Sequence, residues 1–333
     1  MIQIVLVGLG AGAAAALLCA SVVSGSVLAT LLLYLSPLPI MIAALGFTHW
    51  AGLVAALTAA VGLGSVLGLF YFGGFLLGMA LPAWWLGYLA LLARPSTAQS
   101  GVEWYPIGRI VLWAAALGAA IVTVAILQIG TDQETIRSAL RKGFDEIIRA
   151  QIPASTGSGA VLTPEERGRL LDVFVVLFPP AAAVSLLVIN SFNLWLAGRI
   201  VLVSGRLSRP WPDISAISLP LAAPIALAVS VAGAFAPDVL GMVCGIAAAV
   251  LLMVHVMVGL AVIHAVTIGM NARVLILASV YAGFVMLSLR TSWASIVLAA
   301  LGLAETLFGL RWRLAAYRGP PSPPKGPPAN PST

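Results

Sequence analysis

The chain has 333 residues, of which 61% are hydrophobic and 8% charged, with a formal net charge of +6. A soluble domain carries about 25% charged residues, so this composition excludes an ordinary water-exposed fold and points to a polytopic helical membrane protein. Continuous apolar runs of about 20 residues exclude an outer-membrane barrel, whose strands alternate over about 10, and basic residues confined to loops read as topology signals rather than a nucleic-acid footprint.

Residues 1–93 contain no Asp, Glu, Lys or Arg, and Arg94 is the first formal charge. A water-facing surface needs charge, so this stretch is built for lipid. Spans are predicted near 2–24, 27–46, 48–70 and 72–93. No positive n-region precedes the first run, and the run outlasts a signal h-region, so it is expected to remain a span. Gly8-Leu9-Gly10-Ala11-Gly12 lacks the G-x-G-x-x-G spacing, and the first acidic residue is Glu103. A dinucleotide fingerprint is therefore ruled out. Gly8, Gly12, Ala16 and Ala20 instead fall four apart, a small-residue ridge for close helix packing, and Gly64/Gly68 and Gly74/Gly78 repeat the spacing.

Pro37 and Pro39 interrupt the second span, because proline removes a backbone donor. Trp84 and Trp85 lie beside Pro82, which puts a second irregular helix in the same half. Broken helices near mid-membrane mark transport sites. Phe70-Tyr71-Phe72 falls where an interfacial aromatic belt is expected.

A basic loop with Arg94 and Arg109 leads into a fifth span near 109–130. Segment 131–168 is the one long hydrophilic stretch. Thr131-Asp132-Gln133-Glu134 matches a capping box, and Ile136, Leu140, Phe144 and Ile147 or Ile148 follow at helical spacing. A second box, Thr163-Pro164-Glu165-Glu166, starts a helix expected to bend at Pro179-Pro180. The expectation is an amphipathic pair covering the outer mouth of the bundle, or a passive interfacial linker.

Further spans are predicted near 178–203, 217–236, 239–267, 273–290 and 293–310. Arg94, Arg109, Arg199, Arg206, Arg209, Arg273, Arg311, Arg313, Arg318 and Lys325 fall on one side, and only Arg290 lies in a short loop on the other. The positive-inside rule puts both termini in the cytoplasm and 131–168 outside. The expected fold is all-α: a transmembrane bundle of about ten spans, eight to ten, with an outer amphipathic pair. Its parts are a charge-free bundle (1–93), a basic loop with the fifth span (94–130), the outer helices (131–177), a C-terminal bundle (178–310) and a basic, Pro-rich disordered tail (311–333). The PxxP pattern at Pro321–Pro324 reads as part of a solvated tail.

No phosphate loop, H-E-x-x-H or G-x-S-x-G occurs, so nucleotide hydrolysis would need a partner. Neither an enzyme nor a cofactor or metal is expected, and Cys19 and Cys244 have no ligand spacing. Intramembrane polar residues are the default candidates: Asn190 and Asn193, three apart on one face, and His255, His264 and Glu305. His255 and His264 are nine apart and point about 180° from each other, which suits separate helix contacts. The asparagines either line a cavity or hold helices together. Glu305 is either a proton-relay carboxylate or the partner of Arg311 or Arg313 at the interface. Arg199, Arg206, Arg209 and Trp211 form a basic loop with an aromatic anchor, read as a contact to anionic lipid or as a docking loop for an ATPase module.

Asn193-Leu-Trp-Leu-Ala-Gly-Arg199 and Ser204-Gly-Arg-Leu-Ser-Arg-Pro-Trp-Pro-Asp213, with Gly259-Leu-Ala-Val-Ile-His264 and Leu303-Ala-Glu-Thr-Leu-Phe308, resemble the YybS-like family of bacterial multi-pass membrane proteins, in its alphaproteobacterial form. Its relatives are expected to carry an acidic residue before an aromatic in the last span, where Glu305, Thr306 and Phe308 stand with Leu307 intervening. The resemblance implies a bacterial inner-membrane protein. It also implies distant similarity to the substrate-binding subunits of energy-coupling-factor vitamin transporters and to rod-shape membrane proteins, with no catalytic residues to carry over. The favoured expectation is transporter-type binding of a small, fairly apolar solute in the N-terminal bundle, with lipids and a cytoplasmic ATPase as partners. The alternative is a scaffold for envelope or division proteins. A lipid-modifying enzyme has least support, since no acid, base and nucleophile share one membrane depth.

Overall fold

The computed structural model describes residues 1–96, 101–151, 163–213, 215, 217–288, 291 and 293–318. The chain divides into two compact units, Met1–Val254 and His255–Thr333.

In the first unit, α1 (Ile2–Ala20) packs along α4 (His49–Leu67). The ridge does what its spacing implies. A Cβ on Gly8 would stand 2.6 Å from Val54, and one on Gly12 2.6 Å from the Ala55 carbonyl oxygen. Only glycine lets the two backbones come so close. The predicted span 27–46 forms as two helices, α2 (Val27–Tyr34) and α3 (Pro37–Gly46). Ser26 caps the first by accepting the Ala29 N–H at 3.1 Å. Pro37 separates them, because it offers no donor to the carbonyls behind it.

Gly68, at φ +99°, turns the chain from α4 into the next span. That span is α5 (Leu69–Phe75), a π-helical turn (Leu76–Ala80) and α6 (Leu81–Ala90). Part of the predicted basic loop then forms an antiparallel hairpin, β1 (Ala93–Pro95) with β2 (Val102–Trp104), in which Arg94 faces Glu103 at 2.7 Å. Both side chains are exposed, so the pair adds little stability. Along α7 (Ile107–Leu127), Gly118 brings α9 (Pro164–Val203) close: a Cβ there would lie 2.8 Å from the Ala183 carbonyl oxygen.

At 40 residues, α9 is about 60 Å long, twice the roughly 30 Å of a hydrocarbon core. It passes through Pro179-Pro180 without ending, so the expected boundary at 177/178 falls inside one helix. Packing on both sides of the prolines holds it together: α8 (Gln133–Gln151) packs on its first half and α7 on its second. Its N-terminus carries the predicted capping box. Thr163 Oγ1 accepts the Glu166 N–H at 3.2 Å, and Glu166 accepts the Thr163 N–H at 2.8 Å.

The two helices form an antiparallel hairpin. Arg141 pairs with Asp172 at 2.7 Å and Arg167 with Asp145 at 2.5 Å. Phe144 packs on Phe174 and Phe178, and Ile136 is fully buried. The apolar stripe ends in half-buried Ile148, with Ile147 exposed. The α8 cap sits one residue later than predicted: Asp132, not Thr131, accepts the Thr135 N–H at 2.8 Å. The Thr135 hydrogen bonds hold the Asp132 carboxyl below its ordinary 3.8. A depressed carboxyl pKa contributes stability at pH values above the unfolded one, and that contribution is lost as pH falls through the lowered value. Amide protection in the first turn of α8 is therefore expected to fall as pH drops below 3.8. Asp132→Asn keeps an acceptor there and should remove this dependence. Hydrogen exchange of residues 132–136, corrected for intrinsic rate, checks it; equal pH dependence in both proteins would refute the capping role.

The first unit closes with α10 (Ala222–Gly233) and the start of α11 (Asp238–Val266), whose remainder belongs to the second unit. There follow α12 (Arg273–Ser288), α13 (Trp293–Phe308) and α14 (Leu310–Arg318). Gly259 of α11 and Gly302 of α13 face each other. A Cβ on Gly302 would collide with the His255 carbonyl oxygen, and one on Gly259 with that of Leu298. Residues 311–318, expected to begin a disordered tail, are helical, because Glu305 Oε2 accepts the Arg311 N–H at 2.9 Å and caps α14. The predicted Pro-rich tail from 319 lies outside the described residues.

Among the described residues seven helical stretches, the broken runs Val27–Gly46 and Leu69–Ala90 included, are long and apolar enough to cross a membrane, and three of the predicted spans form shorter helices, Ala222–Gly233, Arg273–Ser288 and Trp293–Phe308. The expected ten spans are thus not all met by length: the 12-residue α10 rises about 18 Å.

Candidate functional site

The break between α2 and α3 creates a polar point inside an apolar bundle. Pro37 has no N–H, and the Leu38 N–H turns to the Leu35 carbonyl at 3.0 Å. The Tyr34 carbonyl is left without a helical donor. Asn193 of α9 supplies one: its Nδ2 donates to Tyr34 O and to Ile189 O, both at 2.8 Å. Its Oδ1 is buried with no hydrogen-bond partner, as is Oδ1 of Asn190, whose Nδ2 donates to Leu186 O at 2.9 Å. One residue before Pro37, fully buried Ser36 donates to the Met79 sulfur at 3.4 Å.

Met79 lies in the π-helical turn. An unoccupied acceptor and a widened helical turn are features that recur at functional sites. Beside this turn is an apolar cavity of about 280 Å³, lined among others by Cys19, Phe75, Gly78, Met79 and Leu186. Gly74 and Gly78, expected to pack against a helix, line this cavity instead. Nothing lies within 4 Å of where a Cβ on either would stand. Phe70 and Tyr71, both exposed, stand at the same cavity.

Trp84 and Trp85 belong to a different place. Trp84 Nε1 donates to His49 O at 3.0 Å and stacks on Tyr88, while Trp85 meets Trp113 edge-on. Trp113 in turn donates to Tyr105 at 3.1 Å. This aromatic cluster joins the starts of α4 and α7 to α6. The basic loop docks on the end of α6 and on the turn between α3 and α4. Arg209 donates to Ala90 O at 3.2 Å, Arg206 lies over the Phe47 ring at 4.6 Å, and Arg199 over Trp211 at 5.0 Å. Burial lowers the pKa of Arg209. Trp211 packs against Gly198, 3.3 Å from where a Cβ would be. All three arginines and the tryptophan thus have partners within the chain.

The remaining candidates lie in the second unit. His264 shares a hydrogen bond with Tyr281 at 3.0 Å. His255 is fully buried at the glycine crossing of α11 and α13. Glu305 accepts Arg311 Nε at 2.8 Å, so the carboxylate is paired within its own segment. Among the described residues no three His, Cys, Asp or Glu side chains gather to hold a metal ion.

Of the predicted residues, Asn193 reaches the chain break, while Asn190 bonds within its own helix. Ser36, Met79, Gly78 of the π-turn and Gly74 of α5 complete that site, and none of them carries a polar-residue signal as strong as the asparagines. Ser36 is the residue before the Pro37-Leu38-Pro39 interruption, and that position was the available signal. Protein-family models, curated proteins and solved structures offer no match to this chain.

Proposed function

We propose that this integral membrane protein is of transporter type and binds a small, largely apolar solute in its first unit. The observation that carries the reading is the apolar cavity at the π-turn, where Gly74 and Gly78 leave open space and Met79 in the lining accepts from Ser36 at the chain break. Its lining is apolar enough for a hydrophobic solute, and its volume suits a small one. Broken helices that surround a binding site are a transporter device. The resemblance to the YybS-like family supports the same reading and a bacterial inner-membrane location, with both termini cytoplasmic by the distribution of arginines. No chemistry is assigned to the site; its work is binding and passage, with energy supplied by a cytoplasmic ATPase.

A membrane scaffold is the second reading. The α8–α9 hairpin favours it, because a charged helical pair extends α9 beyond the length a membrane core takes up.

Gly78→Leu tests the first reading. Leucine fills empty space and leaves the fold intact, so the variant should melt within about 1 kcal/mol of wild type. A broad solute screen by thermal shift should find saturable stabilisation in the wild type, about 2.7 kcal/mol at 100 times Kd, and none in the variant. The transporter reading is sunk if no solute saturates and deletion of the protein alters no uptake. Envelope proteins co-purifying in its place would establish the scaffold.

A further inference from the structure

A second cavity, of about 290 Å³, lies between α8, the Pro179-Pro180 region of α9 and the α10–α11 corner. Its lining carries charges of both signs, Arg137 and Asp238. Arg141, Arg149, Arg167 and Arg169 of the same hairpin all pair with carboxylates. Arg137 has no such pair among the described residues, and Asp238 has none either. They border one cavity without bridging it.

The prolines add acceptors. Without N–H groups at 179 and 180, the carbonyls of Val175 and Val176 lack their i+4 donors, and both residues line the cavity. Asp238 is held at φ +59°, the one described non-glycine residue with positive φ. Aspartate tolerates that conformation better than most residues. The cavity thus offers a carboxylate for a group with several N–H donors, with two carbonyls relieved of their i+4 donors on its lining residues, and a guanidinium for an anion. It stands where α9 changes character: Asp172 is the last charge before the uncharged run 173–198. Exposed Val176 and Leu177 extend apolar surface from its wall.

We propose that this cavity binds the headgroup of a membrane lipid that carries both a primary ammonium and a phosphate, as phosphatidylethanolamine does. The phosphate meets Arg137 in a charge-assisted hydrogen bond. The ammonium donates to Asp238 and the proline-freed carbonyls, and the acyl chains follow the apolar face of α9. A choline headgroup has no N–H to donate, and a glycerol headgroup has no cation, so each leaves one side of the cavity unmatched.

Native mass spectrometry of the full chain in detergent tests this, with phosphatidylethanolamine, phosphatidylcholine and phosphatidylglycerol of identical acyl chains. Retention of the ethanolamine lipid is expected to exceed the other two at least fivefold. Arg137→Gln and Asp238→Asn should each bring that ratio near one, while Arg137→Lys and the distant Arg149→Gln keep it. Because both neutralised side chains are exposed, the variants should melt with the wild type, which separates lost recognition from lost fold. Equal retention of the three lipids, or a preference that survives both neutralisations, overturns the proposal. Displacement of the lipid by millimolar free phosphoethanolamine overturns the lipid assignment in favour of a soluble zwitterion. Gly78→Leu should leave the preference intact, so this site and the solute cavity fail or stand separately.

Discussion

Gly302→Val is expected to separate α11 from α13 and to destabilise the second unit at or above the upper end of the about 1–3 kcal/mol typical of overpacking. The reason lies in which atoms collide. A Cβ at 302 meets the His255 carbonyl oxygen and comes within 2.9 Å of the Gly259 nitrogen. These are backbone atoms of a continuous helix, so no side chain can swing aside to make room. Within a membrane such crossings hold by close contact, because lipid supplies no hydrophobic drive between helices. Gly302→Ala already places the offending atom and should lose most of the same stability. Gly283→Ala on α12, where nothing lies within 4 Å of the new Cβ, is the control and should change little. Thermal unfolding of the three variants in detergent decides it, and equal melting of Gly302→Ala and Gly283→Ala would contradict the crossing.

Glu305→Ala is expected to cost about 3–5 kcal/mol, the range for stranding one member of a buried ion pair. Glu305 is 8% exposed and engages Arg311 twice, through Nε at 2.8 Å and through the backbone N–H at 2.9 Å. Alanine strands the guanidinium and uncaps α14 together. Glu305→Gln retains an acceptor for the N–H and loses the charge, so its cost should be smaller. A double-mutant cycle with Arg311→Ala should return a coupling of about 0.5–3 kcal/mol. An additive cycle, with melting unchanged in Glu305→Ala, would remove the ion pair from the account and return Glu305 to the list of proton-relay candidates.

Much of this fold is legible in the sequence because lipid imposes strict rules. A charge-free stretch must be helical, and the four-residue spacing of Gly8 and Gly12 forecasts the α1–α4 contact. Pro37 marks the α2–α3 break and Thr163 the start of α9. What was not legible depends on partners far away in the chain. Gly74 and Gly78 have the same spacing as Gly8 and Gly12 but line a cavity, because no neighbour reaches them. The signal for a small residue is the same whether it admits a helix or leaves a void. Pro179-Pro180 suggests a bend and a boundary between two parts, yet α9 runs through both prolines as one helix, packed by α8 and α7. Asn193 was legible as a polar residue in a membrane. Its partner was not, since Tyr34 lies 159 positions away and contributes only a carbonyl, which every residue has.

The continuity of α9 makes it a lever. Asn193 pins the rod to the Tyr34 carbonyl, with a short arm to Val203 and a long one to Pro164, about 44 Å from the pin. A rotation of about 5° about that fulcrum would carry the far end about 4 Å and the near end about 1 Å. Arg199 lies on the short arm and the hairpin with its cavity on the long one, so a tilt begun at the basic loop would be enlarged about threefold at the hairpin.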